Sequence, residues 1–244
     1  MLSIPNALLP PVEIRASLQA LLASLFPFTG KSAASEYSTT APRTSVTPVF
    51  ELFEHVGADR PVAEQFISQR FAESFGSNVE VFMPRLFSLR NQDGDICGAF
   101  GLRSANRKLF LEQYLDTPID KAIAARAGSL IERRSIVEVG HFSGAFPGAV
   151  RAMITLLTER LHREGFEWVV FTGTTTLRNA FSHLGLSPID IQAATVDRLP
   201  AEERAAWGNY YDHAPRVLVG NVQEGYWAMH RHASLSQSHI GRHL

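Results

Sequence analysis

Between Ser135 and Phe171 the chain runs strand, glycine-containing loop, amphipathic helix and strand. Ser135 to Phe142 reads as a strand that stops at Ser143-Gly144-Ala145-Phe146-Pro147-Gly148. In the helix that follows, Val150, Ile154, Leu157 and Leu161 make one apolar stripe, while Arg151, Glu159, Arg160 and Arg163 lie away from it. Gly165 ends the helix, and Phe166 to Phe171 is apolar almost without interruption, the pattern of a central strand covered on both faces. Two strands joined through a helix form a parallel pair, so the chain is α/β.

Other segments fit around this unit. Val49 to His55 is a strand candidate, and Pro61 opens a helix on which Val62 and Phe66, then Ile67, Phe71 and Phe75, recur at four-residue intervals up to Gly76. Apolar runs at Arg85 to Arg90 and Asp95 to Leu102 flank Asn91-Gln92-Asp93-Gly94, a hairpin signal. Leu109 to Leu115 is less regular. Thr174 to Leu186 reads as a second helix, and a polar, acidic segment containing Leu199 to Glu203 leads to a last strand at Val217 to Asn221.

These elements predict one domain over residues 49–222, within what 244 residues can hold. Residues 1–28 form an amphipathic segment with Val12, Leu18, Leu21, Leu22 and Leu25 at near-helical spacing over Val12 to Phe26. Its apolar face calls for cover by the domain or by a second subunit, as in a homodimer. A polar face without Lys/Arg enrichment argues against a membrane surface. It does not read as a secretory signal, because no basic region precedes an apolar stretch. Residues 29–48, rich in Ser, Thr, Ala and Pro, read as a flexible linker, and 223–244 as a disordered C-terminal tail carrying His230, His232, His239 and His243.

Composition narrows the function. A formal net charge of -1 leaves no basic surplus for nucleic acid. The single cysteine, Cys97, rules out an intrachain disulfide and a cysteine-based zinc site, which fits a reducing cytoplasmic compartment. Within its apolar run Cys97 reads as a packed core residue. The tail histidines lack acidic or cysteine partners nearby, so no metal is expected.

Chemistry points to the loop. Two glycines ahead of a helix N-terminus let backbone N–H groups converge where the helix favours negative charge, so a pyrophosphate can sit there without many lysines. An ordinary turn requires the same residues.

A resemblance sharpens this reading. Thr174 to Leu186, with Phe181 four positions before Gly185, is similar to the fifth-strand and following-helix segment of GNAT-type N-acyltransferases. That family implies a mixed, centrally splayed β-sheet flanked by helices. It also implies that Phe142, Ser143, Gly144, Ala145, Gly148 and Ala149 hold the pyrophosphate of an acyl-CoA with Arg151 nearby, and that Phe171 and Thr172 face the pantetheine arm. Phe181 stands where many relatives carry a tyrosine that protonates the leaving thiolate. Ile136-Val137-Glu138-Val139-Gly140-His141-Phe142 resembles the fourth-strand motif of the acyl-homoserine-lactone synthases, which take acyl chains from CoA or an acyl-carrier protein. From about Phe66 to Asn221 the chain resembles the thermostable hemolysin family, carried by Arg134 to Gly148 and by Phe171-Thr172-Gly173-Thr174.

Acyl transfer to an amine needs a base, a polarised carbonyl and an acid. Glu138 and His141 are the best-placed titratable residues, Glu138 as base or amine ligand. Their odd separation sends them to opposite faces of a regular strand unless a bulge intervenes. The resemblance implies oxyanion donors among the backbone N–H groups around Phe142 and Ser143. Arg85 and Arg103 are candidates to bind a substrate carboxylate. The bland alternatives are a buried Glu138–Arg103 pair, a core His141, a loop-capping Ser143 and a solvated arginine face. The expected activity is transfer of an acyl group from acyl-CoA or acyl-carrier protein to a small amine or amino acid. A membrane-active cytolysin and a degenerate acyl-ligand-binding domain are the competing readings.

Overall fold

Seven strands form one sheet in the order β1-β2-β3-β4-β5-β7-β6. The structure, a computed structural model, describes residues 49–240 and the side chains of residues 49–231. The strands are β1 (Glu51–His55), β2 (Arg85–Arg90), β3 (Ile96–Ser104), β4 (Ile136–Gly144), β5 (Trp168–Gly173), β6 (Ile189–Ala193) and β7 (Arg216–Asn221). The helices are α1 (Arg60–Phe75), α2 (Ile119–Ala127), α3 (Pro147–Arg163), α4 (Thr175–His183), a single turn α5 (Ala201–Arg204) and α6 (Val222–Ile240). Residues Phe50–Met229 make up one compact unit. The helix expected at Val12 to Phe26 and the linker lie outside the described residues.

Every neighbouring pair of strands is antiparallel except β4 and β5, which are parallel and joined through α3 as expected. Their pairing runs only from Ile136↔Trp168 to Val139↔Phe171, yet β4 continues to Gly144 and β5 to Gly173. The sheet is therefore splayed at its centre. On the other side, β4 stays paired with β3 up to Gly98↔Gly144.

One face of the sheet carries α1 and α2. Ala63, Ile67 and Phe71 of α1 pack with Met83, Leu86 and Ala99, and Gly101 and Gly140 leave room for Met83. A larger cluster brings Ile119 and Ile123 of α2 together with Tyr114, Ile136, Trp168, Val170, Val217 and Val219. The opposite face is covered by α3, whose Ile154, Leu157 and Leu161 are buried.

One expectation is corrected, and two segments that the sequence left undefined gain definition. From Val222 to Ile240 the chain is helix α6 rather than a disordered tail, because Val222 and Met229, two turns apart, are both 1% exposed and anchor one face. The segment before the last strand contains a strand, β6, hidden from sequence reading by the short, half-polar run Ile-Asp-Ile-Gln-Ala. The irregular stretch near Leu109 is a 3-10 turn, Phe110–Tyr114, fastened by two carboxylates. Glu112 accepts N–H bonds from Leu109 and Ile119, and Glu138 accepts them from Phe110 and Leu111.

Candidate functional site

The gap between β4 and β5 opens into a cavity of about 640 Å³ that reaches both faces of the sheet. On the α3 side it is lined by Ile154, Leu157, Val169, Phe171, Leu177 and Phe181. On the α1 side its wall holds Phe71, Phe75, Arg103, Glu138, His141 and Tyr210. A cleft this size, apolar with a few convergent polar groups, is the usual form of a small-molecule site.

Two residues of β4, His141 and Phe142, stand opposite the single Phe100 of β3, between the pairs Gly101↔Gly140 and Ala99↔Ser143. This is a β-bulge, and it changes the phase of the strand. Glu138 and Gly140 face α1; His141, the inserted residue, faces α1 as well, 6.1 Å from the Phe71 ring and 5.6 Å from that of Phe82. Phe142 then turns to the other face and stacks on Phe100 at 6.2 Å. The bulge is thus the exception to a regular strand, and it puts Glu138 and His141 on one face. The bulge costs His141 a positive φ of 55°, a conformation that histidine adopts more readily than most residues but that still stores strain.

Burial, and then the charge of Arg103, lower the His141 pKa from 6.5 to about 4, while a hydrogen bond to the Val81 backbone opposes them. A bond that favours protonation is one in which the ring N–H donates to a carbonyl. Because Nδ1 is buried without a partner, the donor is Nε2 and Nδ1 carries a bare lone pair.

Glu138 is 2% exposed. Burial raises its pKa, and the N–H groups of Leu111 (2.8 Å) and Phe110 (3.0 Å), with Arg103 at 4.0 Å, pull the other way. The carboxylate is therefore both a structural anchor and a cavity-wall group. Arg103 lines the cavity as well, at a loose distance from Glu138 that leaves its other donors available.

Arg85 is elsewhere, and the expectation that it binds substrate is corrected. Its guanidinium forks are taken by Glu54 (2.7 and 3.0 Å) and Glu164 (2.8 and 2.9 Å), with Arg160 bonded to the same two carboxylates.

Of the expected thioester-binding residues, Phe142, Phe171, Thr172 and Phe181 line the cavity, and the rings of Phe171 and Phe181 stack at 4.9 Å. Ser143, Gly144, Ala145, Gly148, Ala149 and Arg151 are not among its lining residues. Ser143 Oγ donates to the His141 carbonyl at 3.0 Å, a loop-holding bond. The Ala145 N–H is spent on the Cys97 carbonyl at 2.8 Å, and the Gly144 carbonyl accepts Arg70 at 3.2 Å. The N-terminal N–H groups of α3, at Gly148 and Ala149, are what this loop can offer an anion.

Sequence reading missed the strap that closes the α1 side. Ala206, Trp207 and Tyr210 line the cavity from the irregular chain between β6 and β7, together with Glu202 and Glu203 of α5. The strap is clamped to the end of α1. Asn209 N–H donates to the Phe75 carbonyl (2.8 Å), Asn78 N–H to Ala206 (2.7 Å) and Ser77 Oγ to Trp207 (2.7 Å). No periodicity marks such a segment, although the aromatic group Trp207, Tyr210 and Tyr211 was there to be seen. Among the described residues no group of three His, Cys, Asp or Glu is placed to hold a metal, and no helix is long and apolar enough to cross a membrane.

A mixed sheet splayed between two parallel central strands, with helices on both faces, is the GNAT-like architecture. Residues 54–226, well over half of the chain, match the family model described as thermostable hemolysin, and the chain belongs to that family. No curated protein sequence matches it significantly. Among solved structures it is similar to TofI in a ternary complex with an inhibitor and MTA, at 14% identity over 74% of this chain and 96% of that one, TM-score 0.51. It is likewise similar to FeeM, an N-acyl amino acid synthase from uncultured soil microbes, at 15% identity over 74% and 94%, TM-score 0.51. At these identities the likeness is one of fold.

Proposed function

We propose that the chain is an N-acyltransferase that moves an acyl group from an acyl-CoA or acyl-carrier-protein thioester to the amine of a small molecule or amino acid. The observation that carries this reading is the cavity through the splay, which gives two substrates separate approaches to one point between β4 and β5. The apolar α3 side, with Phe171 and Phe181, suits an acyl-pantetheine chain. Beyond Val139 the edge of β4 that faces β5 is unpaired, so backbone N–H groups at the bulge are available to a thioester oxygen. The FeeM fold provides a precedent in an N-acyl amino acid synthase.

The α1 side suits an amine. Glu80, Glu202 and Glu203 line it with Glu138, against the single guanidinium of Arg103, so the wall attracts an ammonium group. Each Glu138 oxygen keeps a lone pair beyond its backbone bond and would orient the ammonium. His141 Nδ1 would take the proton released as the C–N bond forms. A ring held neutral is an acceptor at any pH above about 4, at some expense of basicity. Arg103 would hold a carboxylate on the acceptor, where there is one.

The test is amine-dependent thiol release from a panel of acyl-CoAs and acyl-carrier proteins, with thermal shift as the binding readout. Release that requires an amine and is lost in His141→Asn supports the reading, whereas neither shift nor release with any thioester overturns it. The family's name makes lysis the competing reading. Red-cell lysis by purified protein, abolished on deleting residues 1–47 without loss of thioester turnover, would assign lysis to that segment.

A further inference from the structure

Carboxylates at the mouth of a cleft with apolar walls focus their field inward, so acids that outnumber their counter-ions select a cationic ligand. The α1 side of the cavity has such a mouth. Glu80 comes from the segment between α1 and β2, and Glu202 and Glu203 come from α5; all three are exposed and line the cavity. The Asn78 N–H donates to the Ala206 carbonyl at 2.7 Å and ties the two segments together, so their acids share one opening. Cations of the fold do not neutralise them. Arg204, the next residue along, donates to the Leu199 and Asp197 carbonyls, and Glu80 accepts from the neutral amide of Asn78 at 2.7 Å. Among the described residues Arg103 is the one cation of the lining, and it leans on Glu138 deep in the wall.

Two further observations point to a ligand rather than to a solvated acidic face. At the inner end His141 Nδ1 is buried without a partner, an acceptor in want of a donor. Leading to it are aromatic rings, with Tyr210 in edge contact with Phe75 at 5.1 Å and tilted against Trp207 at 5.4 Å. Tyr210 reaches the splay, its hydroxyl 3.5 Å from the Thr172 carbonyl. Such rings accept methylenes along their edges and attract cations to their faces. One ammonium is enough for Glu138, and a monoamine would leave the acids of the mouth without a counter-ion.

We propose that the acceptor carries a second ammonium group, as a diamine or a diamino acid does: one nitrogen reacts between Glu138 and His141 while the other sits on Glu202 and Glu203. This rests on the acyl-transfer reading above. The inner ammonium gives one proton to solvent and becomes the nucleophile. Its nitrogen attacks the thioester carbonyl carbon and passes a second proton to His141 Nδ1, which returns it to solvent. The C–S bond breaks with its electron pair on sulfur, and the thiolate takes a proton from solvent. The outer ammonium keeps its protons throughout, so its contribution is to capture and orient the acceptor.

Thiol release from one acyl-CoA, measured with matched acceptors, tests the assignment. Cadaverine is compared with pentylamine and lysine with norleucine, pairs that differ in the second ammonium. Expected is a kcat/KM higher by roughly tenfold or more for the dicationic member of at least one pair at low salt. That ratio should fall below about threefold in the Glu202→Gln/Glu203→Gln double variant, and in high salt for the wild type. Preference for lysine names a diamino acid with its carboxylate on Arg103, and preference for cadaverine a diamine without one. Equal use of both members in both pairs, or a ratio that survives substitution and salt, overturns the proposal and leaves acyl transfer standing. No turnover with any amine overturns both. Should the double variant fail to fold, the salt dependence of the wild-type ratio decides: a ratio that does not fall removes the outer site.

Discussion

Glu138 and His141, three residues apart on one strand, face the same side of the sheet because the bulge opposite Phe100 gives β4 one extra residue between Gly140 and Phe142. Arg103 acts on both, drawing the Glu138 pKa down and the His141 pKa down. The three line one wall of the cavity, and burial and the charge of Arg103 hold His141 neutral. This wall, rather than the glycine loop, is where the structure concentrates its reactive groups.

His141 makes stability depend on pH. Its folded pKa, about 4, lies below the ordinary 6.5, so between these values the unfolded chain binds the extra proton and stability rises with pH. The contribution is complete above pH 6.5 and lost as pH falls to about 4, a change on the order of 3 kcal/mol. Asparagine tolerates the positive φ at this position. Urea unfolding of wild type and His141→Asn at stepped pH should therefore show wild type gaining stability on the variant as pH rises from about 4 to 6.5. Parallel curves across that range would mean the imidazole is not buried as described.

Glu138→Gln should lower stability even before any effect on activity. A carboxylate accepts from Phe110 and Leu111 with both oxygens, whereas an amide must turn its NH₂ toward one of those donors. The expected cost is about 1–3 kcal/mol, seen as a lower Tm and as faster amide exchange in the Phe110–Tyr114 turn. Lost activity in this variant therefore says little alone; it must be read against the variant's folded fraction.

Much of this architecture was legible in the sequence, and the misses have physical reasons. The β4–α3–β5 unit stands out because periodicity switches from an apolar run to a helical stripe and back, and the Asn91–Gly94 turn because Gly94 must take its φ of 86°. Both depend on local rules. The bulge at His141 does not, since whether a strand slips by one residue is decided by its neighbour, here β3. The strap carrying Trp207 and Tyr210 is held by bonds to residues more than a hundred positions earlier, such as Ser77 to Trp207. Arg85 looked available because its partners, Glu54 and Glu164, come from distant elements. Phe171, Thr172 and Phe181 were placed through family resemblance, and they do line the cavity.

Arg85→Met should leave the KM values for both substrates unchanged, because the side chain is not among those lining the cavity. Its effect should fall on stability. Arg85, and then Arg160 against an opposing effect of burial, hold the Glu164 carboxyl down to about 2. Both arginines also lie over the Phe87 ring at 5.2 and 5.3 Å. With these groups roughly a third exposed, solvent screens the network, and a loss of about 1–2 kcal/mol is expected, shrinking in high salt. Chemical denaturation at low and high ionic strength checks it, and a raised KM would return Arg85 to the substrate site.

Gly208 closes the strap over the cavity, and no other residue fits there. Its φ is 53° and ψ is -128°, a region that essentially only glycine enters. A Cβ at this position would lie 2.0 Å from the Phe75 carbonyl oxygen and 2.8 Å from the Gly76 carbonyl carbon, both backbone atoms that cannot swing aside. Gly208→Ala must therefore push the strap off the end of α1, breaking the Asn209 to Phe75 bond and moving Tyr210 with it. Strain and lost contacts together should cost roughly 2–4 kcal/mol. The variant should show new proteolytic cuts between Ala205 and Ala214 and, because Tyr210 sits at the splay, a fall in thioester turnover with the sheet intact by circular dichroism. A variant as stable as wild type and equally resistant in that segment would mean that the strap does not seal the cavity.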